Sequence, residues 1–313
     1  MEANVRWVAL TAVAPIVFGS TYYVTSHTLP ADHPFYGGAL RALPAGLLLL
    51  LITRQLPKGS WWWRSLVLGA LNFGAFFTLI YITAQLLPTS VASTTMATSS
   101  VMLMLLAWPL LAERPQVLAV VGAVVGIAGV AVMLLGNYGG EGIDYRGVLA
   151  SLAAMILSSL GAILTKRWSP KINILALTSW QLIAGGLIIL PVAIAVEGAP
   201  PAMTAERLAG YGYVTFVATA LGFTLWFNGL KRLDAATVGL IGLLNPVSGV
   251  VLGVLLASEP FGVRQIVGVT LVVLGILLGQ PIARRLLTGR RTAPAGTPSE
   301  PTSVETGAPA KRQ

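Results

Sequence analysis

Long apolar segments recur along the whole chain and limit what it can fold into. A helix needs about 20 apolar residues to cross the hydrocarbon core of a bilayer, and the sequence supplies such segments one after another. Ten spans are predicted, at about 7–26, 34–53, 65–84, 88–111, 116–136, 146–165, 172–196, 208–230, 235–257 and 261–283. Uninterrupted runs of this length differ from the roughly ten-residue alternating strands of a membrane barrel. The predicted fold class is therefore an all-α polytopic membrane protein with ten transmembrane helices.

The composition agrees with a membrane protein. Only 10% of the 313 residues are charged and 55% are hydrophobic, whereas soluble domains carry about 25% charged residues. The net charge of +9 comes from basic residues in short segments between the spans and in the C-terminal tail, which argues against nucleic acid as a partner. The chain has no cysteine, so disulfides, thiolate metal sites and cysteine nucleophiles are excluded.

Lysine and arginine gather on one side of the predicted membrane. Of the 20 basic residues, 16 fall on that side, three (Arg146, Arg207 and Arg264) on the other, and Arg41 inside a span. Cytoplasmic loops are enriched in such residues, so both termini are predicted to be cytoplasmic, in a bacterial-type inner (plasma) membrane. Residues 284–313, rich in Pro, Thr, Ser and Glu, are predicted to form a disordered cytoplasmic tail.

An acidic corner next to a proline occurs twice, 146 residues apart. It begins at Glu113 (E-R-P-Q) and at Glu259 (E-P-F-G), and each copy is followed by two glycines at equal spacing. Those glycines are Gly122 and Gly129 in the first copy and Gly268 and Gly275 in the second. Five spans per copy give the copies opposite orientations, which predicts two inverted repeats, 7–136 and 146–283. Many secondary transporters have this architecture, with the substrate site between the repeats.

Several segments resemble the EamA family of the drug/metabolite transporter superfamily. They include F-G-S-T-Y-Y in the first span, T-S-W-Q-L-I-A-G-G in the seventh, and L-G-F-T-L-W-F-N-G-L-K-R-L-D-A from Leu221. The resemblance covers about residues 7–283 and implies a ten-helix carrier with two EamA repeats, usually an exporter of amino acids, related metabolites or drugs. Phe18 stands where the family commonly has Trp, and Ala42 follows Arg41 where Phe is common, which leaves the substrate open.

Arg41 is the sharpest candidate for substrate binding. It lies about seven residues into the second span, roughly 10 Å deep at 1.5 Å per residue. A charge inside a membrane span costs about 2.5–3.5 kcal/mol on insertion scales. Two interpretations follow: the side chain pairs with a substrate carboxylate in a cavity, or it extends to the external headgroups.

Other polar, aromatic and helix-breaking residues within the spans are further candidates. Pro15 with Gly19, and Pro246 after Asn245, predict kinks that free the carbonyls of Thr11 and Gly242. Side chains that either line a cavity or hydrogen-bond between helices are Tyr22, Tyr81, Gln85, Ser99, Gln181, Trp226, Asn228 and Asn245. Under the 146-residue offset Tyr81 falls almost opposite Trp226, which predicts an aromatic wall formed by the two.

The repeated corner itself is interpreted as structural. Glu113 and Glu259 could couple transport to an ion, but each stands just before a predicted helix, where a carboxylate stabilises the positive end of the helix dipole. Gly122, Gly129, Gly268 and Gly275 are predicted to be packing positions between helices.

The sequence favours transport over catalysis. It shows no catalytic set, metal-ligand spacing or nucleotide loop, so no enzyme activity, cofactor or metal is expected. The function predicted is a secondary transporter that exports amino acids or related small metabolites by alternating access. The partners predicted are a small-molecule substrate and the lipid bilayer; coupling to protons or ions and the oligomeric state are left open. The alternatives are a multidrug or quaternary-ammonium efflux carrier and a non-transporting polytopic membrane protein.

Overall fold

The computed structural model describes residues 2–87, 92, 96, 99–134, 144–169, 171–256 and 262–279. Throughout these residues the regular structure is helical and no strand occurs, which confirms the all-α class. The helices are α1 (Glu2–Thr28), α2 (Pro34–Thr53), α3 (Trp61–Leu86), α4 (Ser99–Leu111), α5 (Val117–Leu134), α6 (Tyr145–Trp168), α7 (Ile174–Glu197), α8 (Ala205–Arg232), α9 (Ala235–Leu256) and α10 (Val263–Gly279). The predicted tail and Glu259 lie outside the described residues.

Seven of the described helices are long and apolar enough to cross a membrane. These are α1, α2, α3, α6, α7, α8 and α9. Shorter apolar segments of 10–17 residues lie in α4, α5 and α10 (Ser99–Leu111, Val117–Gly129 and Ile266–Leu278).

Side-chain caps fix where several helices begin. Asp144 accepts a hydrogen bond from the backbone of Arg146 at 2.8 Å, and Asp234 accepts one from Thr237 N at 2.7 Å. Asn173 caps α7 in the same way through Leu175 N at 2.9 Å. Such caps satisfy backbone N–H groups that have no partner inside the helix. Hydrogen bonds from the side chain and backbone of Arg146 hold the pKa of Asp144 below its ordinary value.

The two predicted proline kinks have different outcomes. Helix α1 continues through Pro15 without interruption. Helix α9 is interrupted at Leu243, between Ala235–Gly242 and Leu244–Leu256, and Leu243 N bonds to Leu240 O at 3.1 Å. The interruption lies just before Pro246, which has no N–H to offer the carbonyl of Gly242.

Two π-helical segments, which the sequence did not predict, interrupt α3 and α8. They cover Ala70–Gly74 and Tyr213–Leu221. The offset of the sequence repeat moves the first segment onto positions 216–220, inside the second. The wider π turn changes which side chains face the interior, and such segments are frequent at functional sites.

The main helix pairs join the part of the chain before residue 135 to the part after residue 143. Helix α2 packs along α7, α5 along α10, α1 against α8 and α9, and α6 against α3 and α4. Helices α2 and α7 are also tied at both ends. The Glu197 carboxylate accepts from Phe35 N at 2.7 Å and Tyr36 N at 2.9 Å, and Trp180 Nε1 donates to Gln55 O at 2.6 Å.

The repeated glycines lie where α5 and α10 approach backbone to backbone. A Cβ atom at Gly129 would lie 2.6 Å from the carbonyl oxygen of Gly268. A Cβ atom at Gly275 would clash with the carbonyl oxygen of Gly122. Only a residue without a side chain fits either of these positions while the helices keep their separation.

Glu113 binds a different helix from the one the sequence predicted. Its carboxylate accepts a hydrogen bond from Ala235 N at 2.8 Å and pairs with Lys166 Nζ at 2.6 Å. The non-helical residues 112–116 separate it from the start of α5, whereas the first turn of α9 lies beside it. Glu113 therefore caps α9 rather than the following helix.

Candidate functional site

A cavity lies at the centre of the bundle, between the helices of the two parts. It has about 770 Å³ of space free of protein atoms, including space open to the outside. Its polar lining is Thr21, Tyr22, Arg41, Asn72, Ser99, Ser158, Ser159 and Asn245. Its aromatic and apolar lining includes Phe18, Phe76, Ile80, Leu103, Phe223, Trp226 and Phe227, with Pro15 and Gly242 at the edges of helices α1 and α9.

Arg41 supplies the charge of this cavity. Its side chain is 6% exposed, its Nε donates to Thr219 Oγ1 at 2.5 Å, and its guanidinium carbon lies 4.2 Å from the ring centre of Phe77. No carboxylate pairs with it in the part of the chain that the structure describes. A buried cation without a counter-ion is costly in a membrane protein, so the site is electrostatically suited to an anion.

Thr219 connects this charge to the π-helical segment of α8. Its hydroxyl donates to the carbonyl of Val214, five residues earlier, at 2.6 Å. The same oxygen accepts the hydrogen bond from Arg41 Nε. Thr219 was not among the predicted site residues, because a threonine in a span normally bonds to its own helix and the sequence gives no sign of the π turn.

Three buried polar atoms of the cavity have no hydrogen-bond partner among the described residues. They are the hydroxyls of Thr21 and Ser159 and the amide oxygen of Asn245, on side chains that are 2%, 2% and 8% exposed. A buried polar group left without a partner costs about 1–3 kcal/mol. These atoms are therefore available to a bound solute or to water.

The aromatic wall centres on Phe223. Its ring centre lies 4.8 Å from that of Phe18 and 4.8 Å from that of Phe73, and Trp226 meets Phe18 edge-on at 6.2 Å. The predicted pairing of Tyr81 with Trp226 is wrong. Tyr81 packs with Leu29 and Tyr211, and its hydroxyl donates to the carbonyl of Pro30 in the α1–α2 connection.

The structure brings some of the predicted substrate-binding residues together and leaves others apart. Tyr22, Arg41, Ser99, Trp226 and Asn245 line the cavity, as does Pro15 of the predicted kinks. Gly19 and Pro246 do not line it. Gly19 packs against α9 instead, where its Cβ would lie 2.5 Å from the backbone oxygen of Asn245.

Three further predicted residues are not among the cavity-lining set and hydrogen-bond elsewhere. Gln85 donates to the carbonyls of Thr25 and Leu29 at 3.3 and 3.4 Å. Gln181 accepts from Asn72 at 2.7 Å, and Asn228 donates to Thr224 O of its own helix at 2.9 Å. For Gln85 and Gln181 these contacts are the hydrogen bonds between helices that the sequence offered as the alternative, whereas the Asn228 contact lies within its own helix.

Comparison with known proteins shows which family this chain is similar to. The family model described as the EamA-like transporter family matches residues 5–135 and 145–279. Protein PecM of Dickeya dadantii (strain 3937) is 36% identical over 86% of this chain and 91% of its own length. The "Uncharacterized transporter YvbV" of Bacillus subtilis (strain 168) is 26% identical over 87% and 91% of the two chains.

Two further comparisons concern an efflux protein and a solved structure. The "Probable amino-acid metabolite efflux pump" of Salmonella typhimurium (strain LT2) is 26% identical over 86% of this chain and 93% of its own. A crystal structure with 18% sequence identity superposes with a TM-score of 0.73 over 90% of this chain and 98% of that chain, which shows the shared fold alone. The two-part family match and the extended similarity to PecM show that this chain is an integral membrane protein and belongs to the EamA-like transporter family.

Proposed function

We propose that the protein is a secondary transporter that exports amino acids or related small metabolites by alternating access. The proposal rests on one observation: Arg41 is a buried cation that faces a central cavity and pairs with no carboxylate among the described residues. Secondary transporters bind substrate near the bilayer midplane between their repeats. A substrate carboxylate bound there completes the ion pair.

The proposed architecture is ten transmembrane helices in two inverted halves, 7–136 and 146–283, with both termini cytoplasmic in the plasma membrane. Helix pairs α2–α7 and α5–α10 support it, because each joins elements in equivalent positions of the two halves. The π segments of α3 and α8 also occupy equivalent positions. The halves rock about the cavity, and the tail 284–313 stays on the cytoplasmic side.

The direction and the substrate class rest on one relative and on the lining of the cavity. The name of the Salmonella protein, an amino-acid metabolite efflux pump, favours outward transport of compounds derived from amino acids. Among the described residues, the lining contains no Asp, Glu or His, the side chains that usually serve as general acid or base. We therefore propose binding and translocation without a chemical step.

A second candidate is a carrier of quaternary-ammonium or other cationic drugs. The rings of Phe18, Phe223 and Trp226 favour it, since aromatic faces attract cations by about 0.5–2 kcal/mol. Arg41 opposes it, because a fixed positive charge in the same cavity repels such a substrate.

Counterflow of labelled amino acids into proteoliposomes tests the proposal, with Arg41→Ala as the critical variant. We expect this variant to lose at least about tenfold in exchange of carboxylate-bearing solutes, because a hydrogen bond to a charged group contributes about 1.5–3 kcal/mol. Arg114→Ala, which removes an exposed arginine outside the cavity, is the matched control and should exchange normally.

The same assay separates the candidates. Exchange of quaternary-ammonium cations, with no exchange of carboxylate-bearing solutes, would establish the second candidate. If the folded protein exchanges no solute across a broad panel, the transporter proposal fails. Unchanged exchange by Arg41→Ala would show that Arg41 does not bind the carboxylate.

A further inference from the structure

The polar groups of the cavity are separated into two sets along α3. The guanidinium of Arg41 lies over Phe77. Asn72, which also lines the cavity, lies in the π segment and precedes Phe77 by five residues, so it lies about one helical turn away along α3. The Asn72 amide lies against α6 at Gly161, two residues from Ser159, and Ser159 and Asn245 line the same cavity. The cavity therefore has a charged end and an uncharged polar end.

Helix α1 shows the same order. Tyr22 packs in a buried cluster with Ile80 and Ala84, which follow Phe77 on α3, so it marks the charged end. Gly19 lies three residues earlier and packs against the backbone of Asn245, whose oxygen would lie 2.5 Å from a Cβ at this glycine. Three helical residues correspond to roughly 4–5 Å, so both helices separate Arg41 from Asn245 and Asn72 in the same direction.

The uncharged end offers hydrogen-bond acceptors. Asn72 donates its amide hydrogens to Thr165 Oγ1 at 3.1 Å and Gln181 Oε1 at 2.7 Å, and its amide oxygen lies against α6 at Gly161. The amide oxygen of Asn245 and the hydroxyl of Ser159 have no partner among the described residues. An amide oxygen and a hydroxyl without partners are matched by a ligand that brings a donor.

Flat apolar surface lies between the two ends. Phe76 is positioned on α3 between Asn72 and Phe77 and lines the cavity. Phe223 packs edge-on against Phe76 with 6.3 Å between ring centres, and Phe18 contacts both Phe223 and Trp226. Aromatic rings pack well against a flat apolar body through stacked or edge-on contacts.

We propose that the cavity selects bipolar solutes: an anionic group on Arg41, a flat apolar body against Phe223 and Trp226, and a hydroxyl or protonated amine at Ser159 and Asn245. This inference rests on the proposed function and names the substrate class of the same site. An α-amino acid carries its carboxylate and ammonium on one carbon, so its side chain has to supply the distant donor.

Equilibrium binding of labelled aromatic acids to the purified full-length protein tests the inference without requiring transport. The probes are 4-hydroxyphenylacetate, which has both polar ends, phenylacetate, which lacks the donor, and 2-(4-hydroxyphenyl)ethanol, which lacks the anion. We expect 4-hydroxyphenylacetate to bind about tenfold more tightly than either of the others. Its hydroxyl satisfies buried acceptors that phenylacetate leaves unpaired, and its carboxylate pairs with Arg41, which the alcohol cannot do. The advantage over phenylacetate should fall below about threefold in Ser159→Ala and in Asn245→Leu, with phenylacetate affinity unchanged.

Ser179→Ala is the matched control for Ser159→Ala. The Ser179 hydroxyl is equally buried and has no partner among the described residues, but it does not line the cavity. The control should keep the full preference. If Asn245→Leu does not fold, the two serine variants decide the question by themselves.

The outcomes separate this inference from the proposed export. Equal binding of the two acids, or a preference that persists in Ser159→Ala, overturns the bipolar site. A preference that depends on Ser159, together with no exchange of any solute in proteoliposomes, supports the binding site and overturns export. Exchange of amino acids without any binding preference supports export and overturns the bipolar site.

Discussion

Thr219 fixes the direction of the Arg41 guanidinium. Because its hydroxyl hydrogen is donated to Val214 O, a lone pair of the same oxygen is left to accept from Arg41 Nε. We expect Thr219→Val to raise the KM for a carboxylate-bearing solute about tenfold, since a hydrogen bond to a charged group contributes about 1.5–3 kcal/mol. Thr219→Ser keeps the hydroxyl and should restore most of the affinity. Counterflow kinetics, with KM and maximal rate determined separately, provide the measurement.

Thr224→Val is the control for this prediction. Thr224 lies on the same helix, and its hydroxyl is buried without a partner among the described residues and outside the cavity lining. It should therefore leave KM unchanged. A fall in maximal rate with an unchanged KM in Thr219→Val would instead assign Thr219 a role in packing or movement.

At the scale of the helix, apolar length predicted where α3 and α8 lie but not how they are wound. The π segment of α3 begins where the helix packs closely on α7, since a Cβ at Gly69 would lie 2.6 Å from the carbonyl oxygen of Gln181. That approach is a tertiary contact between residues far apart in the chain, so no local pattern reports it. The π turns, and the position of Thr219 within one of them, are therefore visible only in the structure.

The cavity lining was predictable only in part, for a related reason. A charge in a span, as at Arg41, or an amide beside a proline, as at Asn245, departs from what a lipid-facing helix contains, and both residues line the cavity. Phe223 resembles any buried apolar residue, so its central position gave no signal. Tyr81 and Gln85 are polar residues in a span too, but backbone carbonyls at the end of α1 and in the α1–α2 connection satisfy them.

The close backbone contact between α5 and α10 can be tested by its effect on thermal stability. We expect Gly129→Ala to lower the thermal stability of the purified protein, because its methyl group would lie 2.6 Å from the Gly268 carbonyl oxygen and force the helices apart. Overpacking of this kind costs about 1–3 kcal/mol. Gly212→Ala is the matched control: nothing lies within 4 Å of its Cβ position, so its midpoint of thermal unfolding should not fall. Equal midpoints of thermal unfolding for the two variants would contradict the close backbone contact between α5 and α10.

At the scale of the whole molecule, two carboxylates each join the part of the chain before residue 135 to the part after residue 143. Glu197, at the end of α7, holds the start of α2, and Glu113, after α4, holds the start of α9 and pairs with Lys166. Because both contacts join the two parts that the proposed rocking motion moves, that motion has to break or bend at least one of them.

The membrane topology provides the most direct test of the inverted halves. Because the chain has no cysteine, single cysteines can be placed at exposed positions and labelled with an impermeant thiol reagent without background. In the proposed orientation, Lys58→Cys is the cytoplasmic reference and should react only in permeabilised cells, whereas Glu206→Cys is the external reference and should react in intact cells. Arg114→Cys discriminates, because it follows α4, one of the shorter apolar helices. If α4 is part of a full span, Arg114→Cys should react only in permeabilised cells, as Lys58→Cys does. Labelling of Arg114→Cys in intact cells would show that α4 does not cross the membrane, and would overturn the two inverted five-helix halves.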